Sequence, residues 1–116
     1  MLYLEPVVTE IQFNFVADKH NINTRKALCR VRLNAEVAWI DFLQGRGFLD
    51  FLMDSADEFA DTLKVYGIKY IEANISKQMV SLLKRALGTK YPLSIVTNTS
   101  INGNKMCHVR IDLYAG

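Results

Sequence analysis

One segment near the middle of the chain constrains its fold most strongly, because it predicts a strand, a helix and a second strand in close succession. Residues 36–43 are apolar on both faces, which is typical of a central strand. A turn with two glycines follows, and apolar residues then recur at helical spacing over 48–65. Residues 68–73 predict the next strand. Two strands joined through one helix should be parallel neighbours.

The flanking segments predict further strands around this unit. Alternating apolar residues favour strands over 11–17 and 27–33, and a short polar segment separates them. A second helix is expected to end at Leu87, with a residue from 74–76 opening it. Strands follow over 94–99 and 106–113, joined by the hairpin signal Asn102-Gly103. The sequence predicts one α/β domain spanning 1–116, with a mixed, mostly antiparallel sheet, one central parallel pair and helices covering its faces.

Composition narrows the class of protein. The chain has 116 residues and a net charge of +2, so we expect a single domain and no nucleic-acid partner. Its apolar runs fall short of the roughly 20 residues that cross a membrane, and its start lacks the pattern of a signal peptide. Cys29 and Cys107 suggest buried reduced thiols rather than a metal site, and a single disulfide stays open. A cytoplasmic protein without a metal is expected.

The turn Gln44-Gly45-Arg46-Gly47 is the strongest candidate binding feature. Main-chain N–H groups in such a turn, together with the positive end of the following helix, suit a phosphate or pyrophosphate. Glycine allows a close approach, and Arg46 could add a side-chain contact. The alternative is an ordinary strand-to-helix turn without a ligand.

In this context the sequence resembles the GNAT superfamily of acetyl-CoA-dependent N-acetyltransferases. The family pattern places Gln or Arg, two residues, Gly, one residue, and Gly or Ala between a strand and a helix. Gln44 to Gly47 fit this pattern, and Leu49 departs from it. The resemblance covers residues 27–98, including the turn at Gly67 and the helix end at Gly88. Because only ten residues precede the first strand, the two helices that usually open the family's fold are not expected, and the domain resembles an N-terminally truncated member.

The resemblance implies acetyl-CoA as the cofactor and an amine as the acceptor. It places the pantetheine arm between the two parallel strands and the pyrophosphate on the glycine turn. Lys77 and Lys84 occupy positions where the family commonly has a cofactor-binding Asn and an acidic Tyr. The implied cofactor contacts are Phe42, Leu43, Gln44, Gly45, Arg46, Gly47, Phe48, Lys77 and Lys84.

Catalysis would require a base beside the thioester. The resemblance implies Glu36, which lies early on the strand before the glycine turn, and Asp41 is the second candidate. The alternative for Glu36 is a solvated carboxylate at a strand end. None of the five tyrosines falls at the family's acid position.

Two functions therefore stay open. One is an N-acetyltransferase, and the other is a non-catalytic binding or structural protein of the same fold, such as a bacteriophage virion or host-interaction protein. The second would use surface patches, either the acidic face of the first helix or a basic set that includes Arg30 and Arg32. A homodimer formed through edge strands is compatible with either function, and a phage protein could be virion-associated.

Overall fold

Six strands and two helices make up the fold of this computed structural model, which describes residues 1–45 and 47–114, with only the main chain of Ile101. The elements in chain order are β1 (Glu10–Val16), β2 (Arg25–Asn34), β3 (Val37–Gly45), α1 (Gly47–Val65), β4 (Tyr70–Ser76), α2 (Lys77–Leu87), β5 (Leu93–Ile101) and β6 (Asn104–Asp112). A short 3-10 turn, Ile22–Thr24, lies between β1 and β2. The predicted elements are all present, and their ends differ by a few residues.

The strands form one mixed sheet in the order β1-β2-β3-β4-β6-β5. Only β3 and β4 are parallel, and every other neighbouring pair is antiparallel. This confirms the predicted mixed α/β class and its single central parallel pair. Asn102 and Gly103 both have positive φ, 52° and 80°, as a tight hairpin turn between β5 and β6 requires.

Both helices pack on the same face of the sheet, which corrects the expectation that helices would cover both faces. Phe48 and Leu63 of α1 share one buried cluster with Leu83 of α2 and with Val31 and Ile71 of the sheet. The helices therefore form a single layer. The opposite face of the sheet, called here the open face, carries the alternate residues of each strand and has no helix over it among the described residues.

Aromatic side chains fasten α1 to the first strands. Phe13 packs edge-on against Phe59 with 4.9 Å between ring centres, and Phe15 lies 4.4 Å from Phe51 and 5.4 Å from Phe48. Burying each such ring contributes roughly 1.5–3 kcal/mol. Met53 also lies within the apolar helical pattern of α1, but its side chain is exposed. The helix leaves regular geometry at Ser55 (φ −141°), yet Leu52 before it and Phe59 after it pack into the same core.

The two cysteines are free, buried thiols on β2 and β6. Two strands lie between them, which places them about 14 Å apart at ordinary strand spacing. A disulfide needs Cα atoms within about 7 Å, so the alternative of an internal bridge is excluded by topology. Burial raises the pKa of the Cys29 thiol to about 12, which keeps it protonated and unreactive. Among the described residues, no helix combines the length and apolar character that crossing a membrane demands.

A glycine is required where β3 approaches the start of β2. Gly45 has φ +99°, and a Cβ built on it would lie 2.4 Å from the Lys26 carbonyl oxygen and 2.8 Å from the Ala27 Cα. A Cβ on Gly47 would lie 2.7 Å from the Lys26 Cβ. The glycine spacing that suggested an anion site therefore has a packing cause as well.

Gly45→Ala should lower the free energy of unfolding by about 2–4 kcal/mol, because it adds backbone strain and a clash with main-chain atoms. Gly67→Ala is the matched control: Gly67 also has positive φ (+79°), but nothing lies within 4 Å of its Cβ position, so only the strain of about 1 kcal/mol applies. Urea unfolding of both variants measures the difference. Equal losses would contradict a close approach at Gly45.

A polar clamp joins α1 to the segment after α2. The Tyr91 hydroxyl donates to the Asp57 carboxylate, and Lys90 Nζ lies 2.9 Å from the same group. These two contacts, with Lys90 as the larger cause, hold the pKa of Asp57 below its ordinary value. Burial, together with this hydrogen bond, raises the pKa of Tyr91.

Asp57→Asn should therefore destabilise the protein near neutral pH, and the deficit should shrink in acid. Folding lowers the pKa of Asp57. Its contribution to stability is therefore complete above the unfolded pKa of about 3.9 and disappears as pH falls through the folded pKa. Melting temperatures of the wild type and the variant between mildly acidic and strongly acidic pH test this. A constant difference across that range would show that the charge of Asp57 is not involved.

Candidate active site

The parallel strands separate in the middle of the sheet. Only three residue pairs join them: Val37 with Tyr70, Ala38 with Ile71, and Trp39 with Glu72. Beyond Trp39, β3 pairs only with β2, and beyond Glu72, β4 pairs only with β6. The result is a wedge, defined here as the gap between residues 40–45 of β3 and 73–76 of β4. Its two facing edges carry main-chain groups that no neighbouring strand satisfies among the described residues.

A bulge in β3 lies at the start of this wedge. Arg30 pairs with Phe42 and Val31 pairs with Ile40, so no residue of β2 lies opposite Asp41 in the strand register. A bulge bends its strand and increases the twist, which turns β3 away from β4 at this point. The sequence does not reveal this extra residue, because Asp41 is a single polar residue with apolar residues on both sides, which is equally compatible with a regular strand.

Both helices begin at the open end of the wedge. Parallel strands end at the same edge of a sheet, so α1 follows β3 and α2 follows β4 on either side of the gap. The N-terminus of α2 is capped by the Ser76 hydroxyl, which accepts from the Met79 N–H at 3.3 Å. Two helix N-termini thus direct positive potential to one edge.

Two of the predicted cationic contacts occupy different positions on α2. Lys77 is the first residue of the helix and lies at the open end of the wedge. Lys84 is exposed and lies seven residues further, about 10 Å along the helix axis. The structure therefore places Lys77 at the β4 side of the open end of the wedge and Lys84 at a distance from that end.

The predicted cofactor residues that the structure describes line one edge of the wedge. Phe42 and Leu43 are each 40% exposed, which is unusual for apolar residues of a central strand. Gln44 and Gly45 belong to β3, so the turn is shorter than predicted. Phe48 is a core residue, and only its main chain faces the turn. Arg46 lies outside the described residues.

The residues present fit a coenzyme A group. The wedge offers unpaired main-chain edges to the amides of the pantetheine arm, and the helix ends and Lys77 offer positive charge to its phosphates. Leu49 departs from the family pattern, but its side chain is partly buried against the core and does not fill the turn.

A polar cluster that sequence reasoning missed lies on the open face beside the wedge. Glu72 of β4 is nearly buried, and its carboxylate bonds to His108 Nε2 at 2.6 Å and accepts from Arg110 Nη2 at 3.1 Å. Trp39 packs edge-on against the His108 ring, with 5.1 Å between ring centres. Glu72, a charged residue between the apolar Ile71 and Ala73, was the available signal. Its partners lie 36 and 38 residues away, so only the strand register brings them together.

The two predicted catalytic carboxylates lie far apart: Glu36 precedes β3, and Asp41 is in the middle of that strand. Glu36 is in the turn before the strand, 3.1 Å from Lys69 Nζ, and this contact raises the pKa of Lys69. Asp41 is five residues further, about 16 Å along the strand, at the bulge. Asp41 Oδ1 lies 3.7 Å from Arg32 Nη2 on the open face. The structure thus brings Asp41, and not Glu36, to the wedge.

Known proteins resemble this chain in structure but not in sequence. No protein-family model and no curated protein matches the sequence. Solved structures do match. TofI, in a ternary complex with an inhibitor and MTA, gives a TM-score of 0.66 at 11% identity, covering 90% of this chain and 64% of TofI, so the chain spans somewhat less than two thirds of that protein.

Two acetyltransferase structures are similar to the same extent. The ribosomal-protein-S18-alanine N-acetyltransferase of Escherichia coli gives a TM-score of 0.65 at 9% identity, covering 93% of this chain and 72% of that one. A chimera of the spermidine N-acetyltransferase SpeG from Vibrio cholerae and hSSAT gives 0.64 at 12% identity, covering 90% and 70%. With its six-stranded sheet, one divergent parallel pair and two helices, the chain has the GNAT fold.

Proposed function

We propose that this protein binds an acyl-coenzyme A thioester in the wedge, acetyl-CoA in the simplest case, and transfers the acyl group to an amine in the cytoplasm. The observation that carries the proposal is the parallel ladder between β3 and β4, which stops after three residue pairs below two helix N-termini. The matched N-acetyltransferases support an acyltransferase in general, and the alanine and spermidine in their names are acceptors of those proteins only.

The edge of a strand and the positive groups at the helix starts would together hold the thioester. The edge of β3 at Phe42 and Leu43 pairs with the amides of the pantetheine arm as a neighbouring strand would. Main-chain N–H groups at Gly47 and Phe48, at the start of α1, would bind the pyrophosphate, and Lys77 at the start of α2 would add positive charge from the other side of the wedge. When bound, the thioester supplies an activated acyl carbon at the narrow end of the wedge.

The acceptor amine would approach from the open face, because the helices fill the other side. Asp41, the second carboxylate that the sequence suggested, lies at this face, and its charge attracts a protonated amine. Holding the amine and the thioester together removes most of the entropic cost of their meeting, so positioning supplies much of the rate.

A non-catalytic protein of the GNAT fold is the second candidate. It is favoured by Lys84, which stands where the resemblance expects a tyrosine acid, and by the open face, which presents exposed charged residues such as Arg32 to a partner. A virion or host-interaction protein would use that face without needing the thioester.

Calorimetric titration with acetyl-CoA and with CoA separates the two candidates. We expect binding in the micromolar range by the wild type and a loss of about tenfold for Lys77→Glu, because a carboxylate replaces the cation at the open end of the wedge. Lys19→Glu is the control: it makes the same charge change in the β1–β2 connection, where Lys19 has no ion-pair partner among the described residues, and it should leave the affinity unchanged.

Two results would contradict the proposal. Absence of binding at millimolar acetyl-CoA would leave the non-catalytic candidate. Equal losses for Lys77→Glu and Lys19→Glu would mean that the ligand responds to net charge and does not occupy the wedge.

A further inference from the structure

The polar cluster on the open face has the composition of a proton-transfer site. We infer that His108, oriented by Glu72, accepts the proton of the amine in the proposed acyl transfer, and that Asp41 serves to attract the amine. This inference rests on the proposed function, and it names groups that the sequence did not indicate as catalytic.

Strand register places His108 beside the wedge. Glu72 pairs with Trp39 at the last rung of the parallel ladder, and on its other side it pairs with Arg110. His108 pairs with Asn74, two residues further toward the open end. Because directly paired residues share a face, the imidazole lies on the open face next to the point where the strands separate.

The hydrogen bonds fix the chemical state that a base needs. Glu72 is ion-paired with Arg110, so its carboxylate is an acceptor, and His108 must donate from Nε2 to it. The lone pair is then on Nδ1, which bonds to no described residue. The Trp39 ring restrains the imidazole from the β3 side. A quarter of the His108 side chain is exposed, so a substrate can reach it.

The environment also stabilises the protonated product of the transfer. Glu72 has a side-chain exposure of 11%, and a carboxylate in so dry a position attracts an imidazolium more strongly than one in water. Arg110, held over the Tyr70 ring at 4.6 Å, balances the Glu72 charge before the proton arrives. The arrangement is that of a histidine base with an orienting carboxylate.

The reaction balances with these groups alone. As the amine nitrogen attacks the thioester carbonyl carbon, its proton passes to Nδ1. The C–N bond forms and the C–S bond breaks, and the departing thiolate takes up a proton that the imidazolium can return. One amide and one thiol form from one amine and one thioester.

Imidazole nitrogen NMR tests the orientation without any substitution. The chain contains two histidines, and His20 in the β1–β2 connection is exposed and serves as the internal reference. We expect His108 to carry its proton on Nε2, and we expect saturating acetyl-CoA to shift its Nδ1 signal while His20 stays unchanged. A proton on Nδ1, or no response to bound acetyl-CoA, would overturn the inference.

Kinetics test the role. Acetylation of spermidine and of a peptide with an N-terminal alanine is followed by mass spectrometry. His108→Gln should lower kcat by about a hundredfold or more and leave the acetyl-CoA affinity within about twofold. Glu72→Gln should lower kcat by less and remove the tautomer preference of His108. His20→Gln is the control, and Asp41→Asn should raise KM for the amine more than it lowers kcat.

The outcomes separate this inference from the proposed function. If acetyl-CoA does not bind, both fail. If it binds and His108→Gln retains the wild-type rate, or loses cofactor affinity in parallel with rate, only the assignment of His108 fails. If neither amine is acetylated or the variant does not fold, the NMR experiment on the wild type tests the assignment of His108. A proton on Nδ1, or no response to bound acetyl-CoA, then overturns it.

Discussion

The main-chain pairing of β3 decides most of what this structure can do. A central strand normally satisfies its polar groups on both sides, and β3 does so only as far as Trp39. After the bulge at Asp41 it follows β2 and leaves β4. Unpaired main-chain groups inside a sheet are costly unless water or a ligand bonds to them. The wedge is therefore the place in the interior of the described sheet, away from the edge strands β1 and β5, where the fold provides hydrogen-bonding capacity for a guest.

The sequence predicted the elements well because their signals are local. The alternation around Phe13 and Phe15, the hairpin residues Asn102 and Gly103 and the strand–helix–strand spacing each follow from steric and hydrophobic periodicity within a short window. The resemblance to the GNAT superfamily then predicted a cofactor turn at the end of β3, where the structure places the start of α1. The strand extends through Gln44 and Gly45 because β2 pairs with them, and no local rule contains that information.

Local sequence patterns could not predict the contacts between distant segments. The face of the sheet that each helix covers depends on the path of the chain through the βαβ crossover and after β4. The apolar residues of β4 are compatible with a helix on either face of the sheet. Asp57 was one of several exposed acidic residues of α1 until the fold brought Tyr91 to it. Glu72 belongs to the alternating pattern of β4, and His108 and Arg110 belong to that of β6, so their meeting requires the register of β4 on β6. A single sequence does not encode such a register in any short motif.

The short parallel seam has a mechanical consequence. Beyond three residue pairs, the sheet consists of two three-stranded halves, β1-β2-β3 and β4-β6-β5, which are joined mainly by the helices on one side. Such a seam acts as a hinge, and the halves can twist relative to each other at little cost in hydrogen bonds. A molecule bonded to both edges of the gap would lock that hinge and make the two halves unfold as one cooperative unit.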